Sequence, residues 1–173
     1  YGSTLNTRQY ATKGYLEKLI AQVFTGRERF EPGNPQEGYS PSPQERQSWL
    51  QISYMKEAYH TMGPKFTLGW MAEALYSSKN FSENYTATMM QAGEFAPTPH
   101  SKLMYNEAFR ANQYVAAGIK PIYVLNDMFQ FRTEFYGFTP IFPIKKNALN
   151  KAYYGKAFSR FEYMGEVSVI CHL

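Results

Sequence analysis

Residues 157–173 alternate in period two as cleanly as any stretch of the chain. Ala157, Ser159, Phe161, Tyr163, Gly165, Val167, Val169, Cys171 and Leu173 fall on one side. Phe158, Arg160, Glu162, Met164, Glu166, Ser168, Ile170 and His172 fall on the other. Such a pattern marks a β-strand with one face in an apolar medium and one in a polar medium. Its length is the constraint. Strands of water-soluble domains usually run about five or six residues, whereas a tilted strand that crosses a bilayer needs about nine to eleven and often continues beyond it. The run exceeds both.

Five further stretches read as strands, at residues 7–30, 46–62, 65–77, 109–125 and 128–142, before a sixth at 153–173. In the third, Phe66, Leu68, Trp70, Ala72, Ala74 and Tyr76 share a side; in the fifth, Phe129, Phe131 and Phe135 lie opposite Gln130, Arg132 and Glu134. The first stretch is ambiguous. Leu16, Leu19, Ile20, Val23 and Phe24 follow helical spacing, while Gly14 and Gly26 bracket the run and Thr, Tyr, Val and Phe favour a strand. Period alone leaves both open. Pro121 falls inside the fourth strand, where it removes a ladder donor and predicts a bulge or a break.

The connections alternate in length. Gly63-Pro64 and Asn126-Asp127 are tight-turn chemistry, and residues 31–45, 78–108 and 143–152 are long. An up-and-down membrane barrel has this rhythm, with short turns on one side and long loops on the other.

Composition narrows the function classes. Aromatic residues make up 17% of the 173 residues, with 15 Tyr and 13 Phe. Tyr suits a membrane interface, because its ring is apolar and its hydroxyl stays wet. An aromatic-rich soluble β protein has the same composition. Mean hydropathy is -0.48, and no stretch approaches the roughly twenty apolar residues of a membrane helix. A net charge of +4 from scattered Lys and Arg argues against nucleic acid as a partner. The one cysteine, Cys171, excludes an internal disulfide. Tyr1 is not an initiator residue and no secretory leader follows it, which reads as a piece of a longer polypeptide.

Catalytic and metal motifs are missing from the sequence. It has no Gly-x-Ser-x-Gly elbow, phosphate-cradling glycine loop or Cys-x-x-Cys pair, and His60, His100 and His172 lack metal-ligand spacing. No catalytic, cofactor-binding or metal-binding residue is expected. Asn80-Phe81-Ser82 and Asn84-Tyr85-Thr86 fit a glycosylation triplet that also arises by chance. The informative polar residues lie on strand faces. Gln130, Arg132 and Glu134 form one row, and Arg160, Glu162 and Glu166 another. On adjacent antiparallel strands the two rows would meet as a lumen-facing charge network. Phe129, Phe131, Phe135, Phe161, Tyr163, Val167 and Val169 would then face lipid.

Several stretches resemble a known family. They are Tyr85-Thr86-Ala87-Thr88 through Ala96-Pro97-Thr98-Pro99-His100-Ser101-Lys102, Phe109-Arg110-Ala111-Asn112-Gln113-Tyr114, Ala116-Ala117-Gly118-Ile119-Lys120-Pro121 and Phe131-Arg132-Thr133-Glu134-Phe135-Tyr136. Gly26-Arg27-Glu28-Arg29-Phe30, Pro32-Gly33 and Tyr163-Met164-Gly165-Glu166 extend the likeness. Together they resemble the C-terminal outer-membrane barrel of Bacteroidetes-type patatin-like phospholipases, a barrel of the bacterial surface antigen type. The resemblance implies a parent with an N-terminal lipid acyl hydrolase that works through a Ser-Asp dyad. The family carries the Ser on a Gly-x-Ser-x-Gly elbow and the Asp in an Asp-Gly motif; neither occurs here, so no catalytic residue carries over. The resemblance also implies that the first stretch is a strand.

The resulting expectation is an all-β, antiparallel up-and-down meander of about six long strands, an incomplete segment of a transmembrane β-barrel in the bacterial outer membrane. It would anchor the hydrolase domain and help to export it. Six strands fall short of the minimum of about eight for such a barrel, so missing strands or other copies of the chain would cover the sheet edges. The remaining expected partners are outer-membrane lipid and the barrel-assembly machinery. The alternative is a soluble aromatic-rich β-sandwich or lipocalin-like module whose aromatic faces point inward around a ligand.

Overall fold

A computed structural model of the chain describes residues 1–7, 10–28, 45–126 and 128–171. In chain order its strands are β1 (Gly2–Ser3), β2 (Gly14–Glu28), β3 (Glu45–Thr61), β4 (Phe66–Ser77), β5 (Gly93–Glu94), β6 (Arg110–Ala111), β7 (Gln113–Val124), β8 (Phe129–Pro140), β9 (Ile144–Lys146), β10 (Ala152–Tyr154) and β11 (Glu162–Cys171). One helix, α1 (Tyr85–Gln91), follows β4. Seven strands form one antiparallel sheet in the order β1-β2-β3-β4-β7-β8-β11. Two ribbons, β5 with β6 and β9 with β10, stand apart from it. The architecture is all-β and the large sheet is an up-and-down meander, as expected; the sheet is not closed.

The ambiguous first stretch is a strand. β2 is laddered to β3 along its whole length, from Gly14 opposite Tyr59 to Glu28 opposite Glu45. Leu19, Ala21 and Val23 thereby take one side, and the neighbouring strand supplies the backbone partners that a helix would have supplied internally. The predicted 7–30 shortens to Gly14–Glu28, and the expected loop 31–45 lies outside the described residues except for Glu45, which starts β3. The expected strands 46–62, 65–77 and 128–142 are present with ends shifted by a residue or two.

Both tight turns lie at one end of the sheet. Met62 N–H donates to the Phe66 carbonyl at 2.9 Å across the Gly63-Pro64 turn. At the β7–β8 turn, Asn126 Oδ1 accepts from the N–H groups of Met128 (3.0 Å) and Phe129 (2.8 Å). Asp127 lies outside the described residues. The 78–112 and 141–161 segments connect strands at the opposite end.

Pro121 breaks the ladder without a bulge. Ile119 stands opposite Phe135 and Ile122 opposite Arg132, so the register is unchanged across the gap. The other side of β7 pairs without interruption, with Leu68 opposite Pro121. Two glycines seat aromatic rings from the facing strand. Gly69 is opposite Tyr59 and Gly118 opposite Tyr136. A Cβ on Gly118 would lie 2.2 Å from Tyr136 Cδ1 and 2.7 Å from the Phe135 carbonyl oxygen. Only a residue without a side chain leaves room for the ring there.

Three expectations are corrected. The sixth strand is not continuous over 153–173. Residues 152–154 form β10, and the long strand begins only at Glu162. Between them Phe158 has φ 50°, and loop hydrogen bonds replace the ladder: Gly155 N–H to Pro143 O (2.7 Å) and Phe158 N–H to Ile141 O (2.9 Å). Alternation in 157–161 therefore belongs to a bend, and His172 and Leu173 lie outside the described residues. The fourth strand starts at Gln113 rather than 109, because Glu107–Phe109 forms a single 3-10 turn and Arg110–Ala111 pairs with Gly93–Glu94. The stretches 78–108 and 143–152 are ordered rather than plain loops. Asn84 caps α1, its Oδ1 accepting from Ala87 N–H at 2.8 Å, and β9 and β10 form a ribbon around the Asn147 turn.

The 78–112 segment folds back over one face of the sheet. Phe95 and Phe109 pack there with Met71, Leu75, Tyr114, Ala116, Tyr136 and Phe138 in the largest buried cluster. That covered face is called the inner face below.

Candidate functional site

The exposed face of the sheet carries an apolar band, and the covered face buries charged side chains beside the apolar cluster. Among the inner-face residues, Arg132 and Gln130 are each 2% exposed and Glu134 is 7% exposed. On the outer face of β11 and the bend before it, Phe161 is 67%, Tyr163 81%, Val167 65% and Val169 66% exposed. Phe129, Phe131 and Phe135 of β8 are also exposed outward, as are Leu19, Val23, Leu50, Ile52, Tyr54, Tyr76, Ile119 and Tyr123 on the other strands. Soluble monomers scatter single exposed apolar side chains but rarely assemble a continuous apolar face.

Ladder partners define rows across the sheet, and the apolar band crosses them obliquely. One row runs Glu17, Lys56, Ala72, Ala117, Gly137, Tyr163. On β2 and β3 this row holds a Lys56–Glu17 ion pair at 3.9 Å, and the apolar stretch is centred farther from the tight turns, at Ala21 and Ile52. On β8 and β11 it is centred nearer the turns, around Thr133 and Val167. The band shifts by about two residues per strand. With a rise of about 3.3 Å per residue and about 4.8 Å between strands, it corresponds to a tilt of roughly 50–55°, somewhat steeper than the tilt of about 35–45° of strands in closed barrels.

The inner face carries a buried polar network. Arg132 Nε donates to Glu134 at 2.5 Å, its Nη1 to the Ala11 carbonyl at 3.2 Å and its Nη2 to Tyr59 Oη at 2.8 Å. Tyr136 Oη donates to the second Glu134 oxygen at 2.5 Å. Lys120 bonds Glu57 at 2.8 Å, and Tyr59 also donates to Glu57. Tyr114 Oη donates to Glu73 at 2.5 Å. Buried charges persist only when paired in this way. A cavity of about 350 Å³ separates this network from the covering segment, with Lys18, Lys102 and Glu73 among its lining residues.

The two predicted charge rows do share the inner face, but they do not form one network. Glu166 stands opposite Glu134 and Ser168 opposite Arg132, so like charges face each other and each acid finds a different partner. Glu166 bonds His100 Nδ1 of the covering segment at 2.9 Å. Arg160, which lies just before β11, reaches Glu162 at 3.5 Å and donates to the Ala108 carbonyl. The second row thus fastens the 78–112 segment to β11, and the first row binds the sheet internally.

Sequence reading missed Glu57, Tyr59, Glu73, Tyr114 and Lys120. A signal for them existed, since each occupies the inner phase of its own strand. Their convergence depends on register, which alternation within one strand does not carry. Glu57, Glu73 and Glu134 are each engaged by a neighbouring cation or phenol. Ser101 follows His100, but its hydroxyl donates to the Thr98 carbonyl at 2.9 Å. Among the described residues no group of His, Cys, Asp and Glu could hold a metal ion.

Comparison with known proteins returned no matching family model, no matching curated protein and no matching solved structure.

Proposed function

We propose that the chain forms part of the wall of an outer-membrane β-barrel, with its exposed apolar face against lipid and its charged face toward a lumen occupied by residues 78–112. One observation carries this reading: the inversion of polarity, with Arg132, Glu134 and Gln130 buried beneath a sheet whose outer face carries an exposed apolar band. The oblique course of the apolar band supports it, because a band level with a membrane crosses tilted strands obliquely. Among the described residues no helix is long and apolar enough to cross a membrane; under this reading the strands do the crossing. In lipid each unpaired backbone group costs several kcal/mol; both edges of the sheet therefore need partner strands.

The nature of the attached domain rests on the family resemblance alone. Under it, the barrel anchors a lipid acyl hydrolase and assists its export, and this segment supplies no catalytic residue. A soluble lipocalin-like module would direct Phe129, Phe131 and Phe135 inward, opposite to their placement here.

Cell fractionation tests the reading. The chain in its native polypeptide should sediment with the outer membrane and resist extraction by alkaline carbonate. Recovery as a monodisperse species in detergent-free buffer would overturn it.

A further inference from the structure

We infer that the cavity between the inner face and the covering segment binds a small organic acid, its carboxylate between Lys18 and Lys102 and its hydrocarbon part against Leu16, Met55 and Met71. The cavity measures about 350 Å³, within the size range of small-molecule sites. Register lays out its floor. One row runs Lys18, Met55, Glu73, and the next runs Leu16, Glu57, Met71. Pro97, Pro99 and Lys102 of the covering segment line it from the other side. Ten residues of β2, about 33 Å of strand, separate Lys18 from Glu28 at the end of β2.

The charges around the cavity do not balance. Among the described residues four cations line it, Lys18, Lys102, Lys120 and Arg132, against three carboxylates, Glu57, Glu73 and Glu134. Two pairs are closed: Lys120 with Glu57 at 2.8 Å and Arg132 with Glu134 at 2.5 Å. Glu73 accepts a hydrogen bond from Tyr114 and lies within electrostatic reach of both remaining lysines. Neither Lys18 nor Lys102 forms an ion pair among the described residues. Even with Glu73 ionised, one positive charge is left over. Lys102 is exposed and Lys18 half-buried, whereas Lys120, Arg132 and Glu134 are buried. The surplus therefore sits toward the opening, over a floor whose own charges are paired. One negative charge balances it, which a carboxylate carries at neutral pH and a phosphate monoester exceeds. Leu16, Met55 and Met71 on the floor and Pro97 and Pro99 across from them offer apolar surface to a short hydrocarbon tail.

The site uses the inner face alone, whichever medium meets the outer one. The native polypeptide, in neutral detergent where its outer face requires it, is titrated with hexanoate by equilibrium dialysis. Saturable binding is expected. It should be weaker by about tenfold or more for hexanol, which lacks the charge, and for acetate, which lacks the tail. Lys18→Gln and Lys102→Gln should each weaken hexanoate binding by a similar factor. Glu73→Gln, which removes a charge of the same sign as the ligand's, should tighten it. Lys56→Gln, on the outer face, should leave it unchanged. Hexanoate retention no greater than in the double variant Lys18→Gln with Lys102→Gln overturns the proposal. Equal retention of hexanol, insensitivity to either lysine, an equal loss in Lys56→Gln, or weaker binding in Glu73→Gln also overturns it. Should a lysine variant fail to fold, the response of Glu73→Gln still decides, because charges with a merely structural role give no tighter binding.

Discussion

Arg132 shows what one buried charge demands of its surroundings. Its guanidinium is shared among Glu134, Tyr59 and the Ala11 carbonyl, groups drawn from β8, β3 and the N-terminal segment. Removing one partner of such a pair leaves the other uncompensated. Arg132→Ala should therefore cost about 3–5 kcal/mol, and Arg132→Met with Glu134→Leu should cost less, as read from denaturant midpoints in detergent. A double variant weaker than the single one would refute this. The Arg132–Glu134 relation is visible in sequence, because residues two apart in a strand share a face. Tyr59 and Ala11 are not visible there, because a long-range register brings them in. Val167 and Ser168 test the faces directly. Val167→Arg should cost roughly 2–4 kcal/mol near the middle of a bilayer. Ser168→Arg should cost less, since Glu134 already balances the charge of Arg132 opposite it. Equal losses in a membrane-assembly assay would contradict the assignment of faces.

At the level of elements, the 78–112 segment was the least legible part of the chain. Its prolines and asparagines read as an open loop, whereas the structure gives it a capped helix, a two-stranded ribbon and 3-10 turns. Its order comes from contacts with strands remote in sequence, chiefly Phe95 against Tyr114, Tyr136 and Phe138. Phe95→Ala should loosen the segment while the sheet stays folded, so trypsin should cut faster at Lys102 and Arg110 with heat stability little changed. Uniform resistance would show that other contacts hold the segment. α1 offers a pH test. Burial, with a hydrogen bond to Glu107, pushes the Tyr85 phenol up to about 12, against about 10 for a free tyrosine. Below pH 10 the phenol is neutral in both folded and unfolded chains. Between about pH 10 and pH 12 only the unfolded chain ionises, and the stability of α1 docking falls. Amide protection in Tyr85–Gln91, with intrinsic base-catalysed exchange divided out, should fall across that window, and Tyr85→Phe should abolish the fall.

The strands were the most legible elements, and the limits of that reading are physical too. Alternation found β3, β4, β8 and most of β11, because a face shared between two media imposes period two. It overran the start of β11, where the bend at Phe158 happens to keep the alternation, and it left β2 open, where Leu16, Ile20 and Phe24 mimic a helix. For the whole molecule, the same alternation leaves the medium beyond the apolar face unnamed, since lipid and a protein partner favour the same side chains. Exposure supplies what alternation lacks: the apolar side faces outward on strand after strand. In the proposed barrel, lipid is the substance that meets it. The two tryptophans permit a direct measurement, because Trp70 lies on the outer face in the row of Ile119 and Phe135, while Trp49 lies on the inner side against Phe24 and Lys79. With Trp49→Phe leaving Trp70 as the sole reporter, the native polypeptide in vesicles should show strong quenching by brominated acyl chains and little by aqueous iodide. Quenching by iodide with no response to brominated lipid would contradict the account.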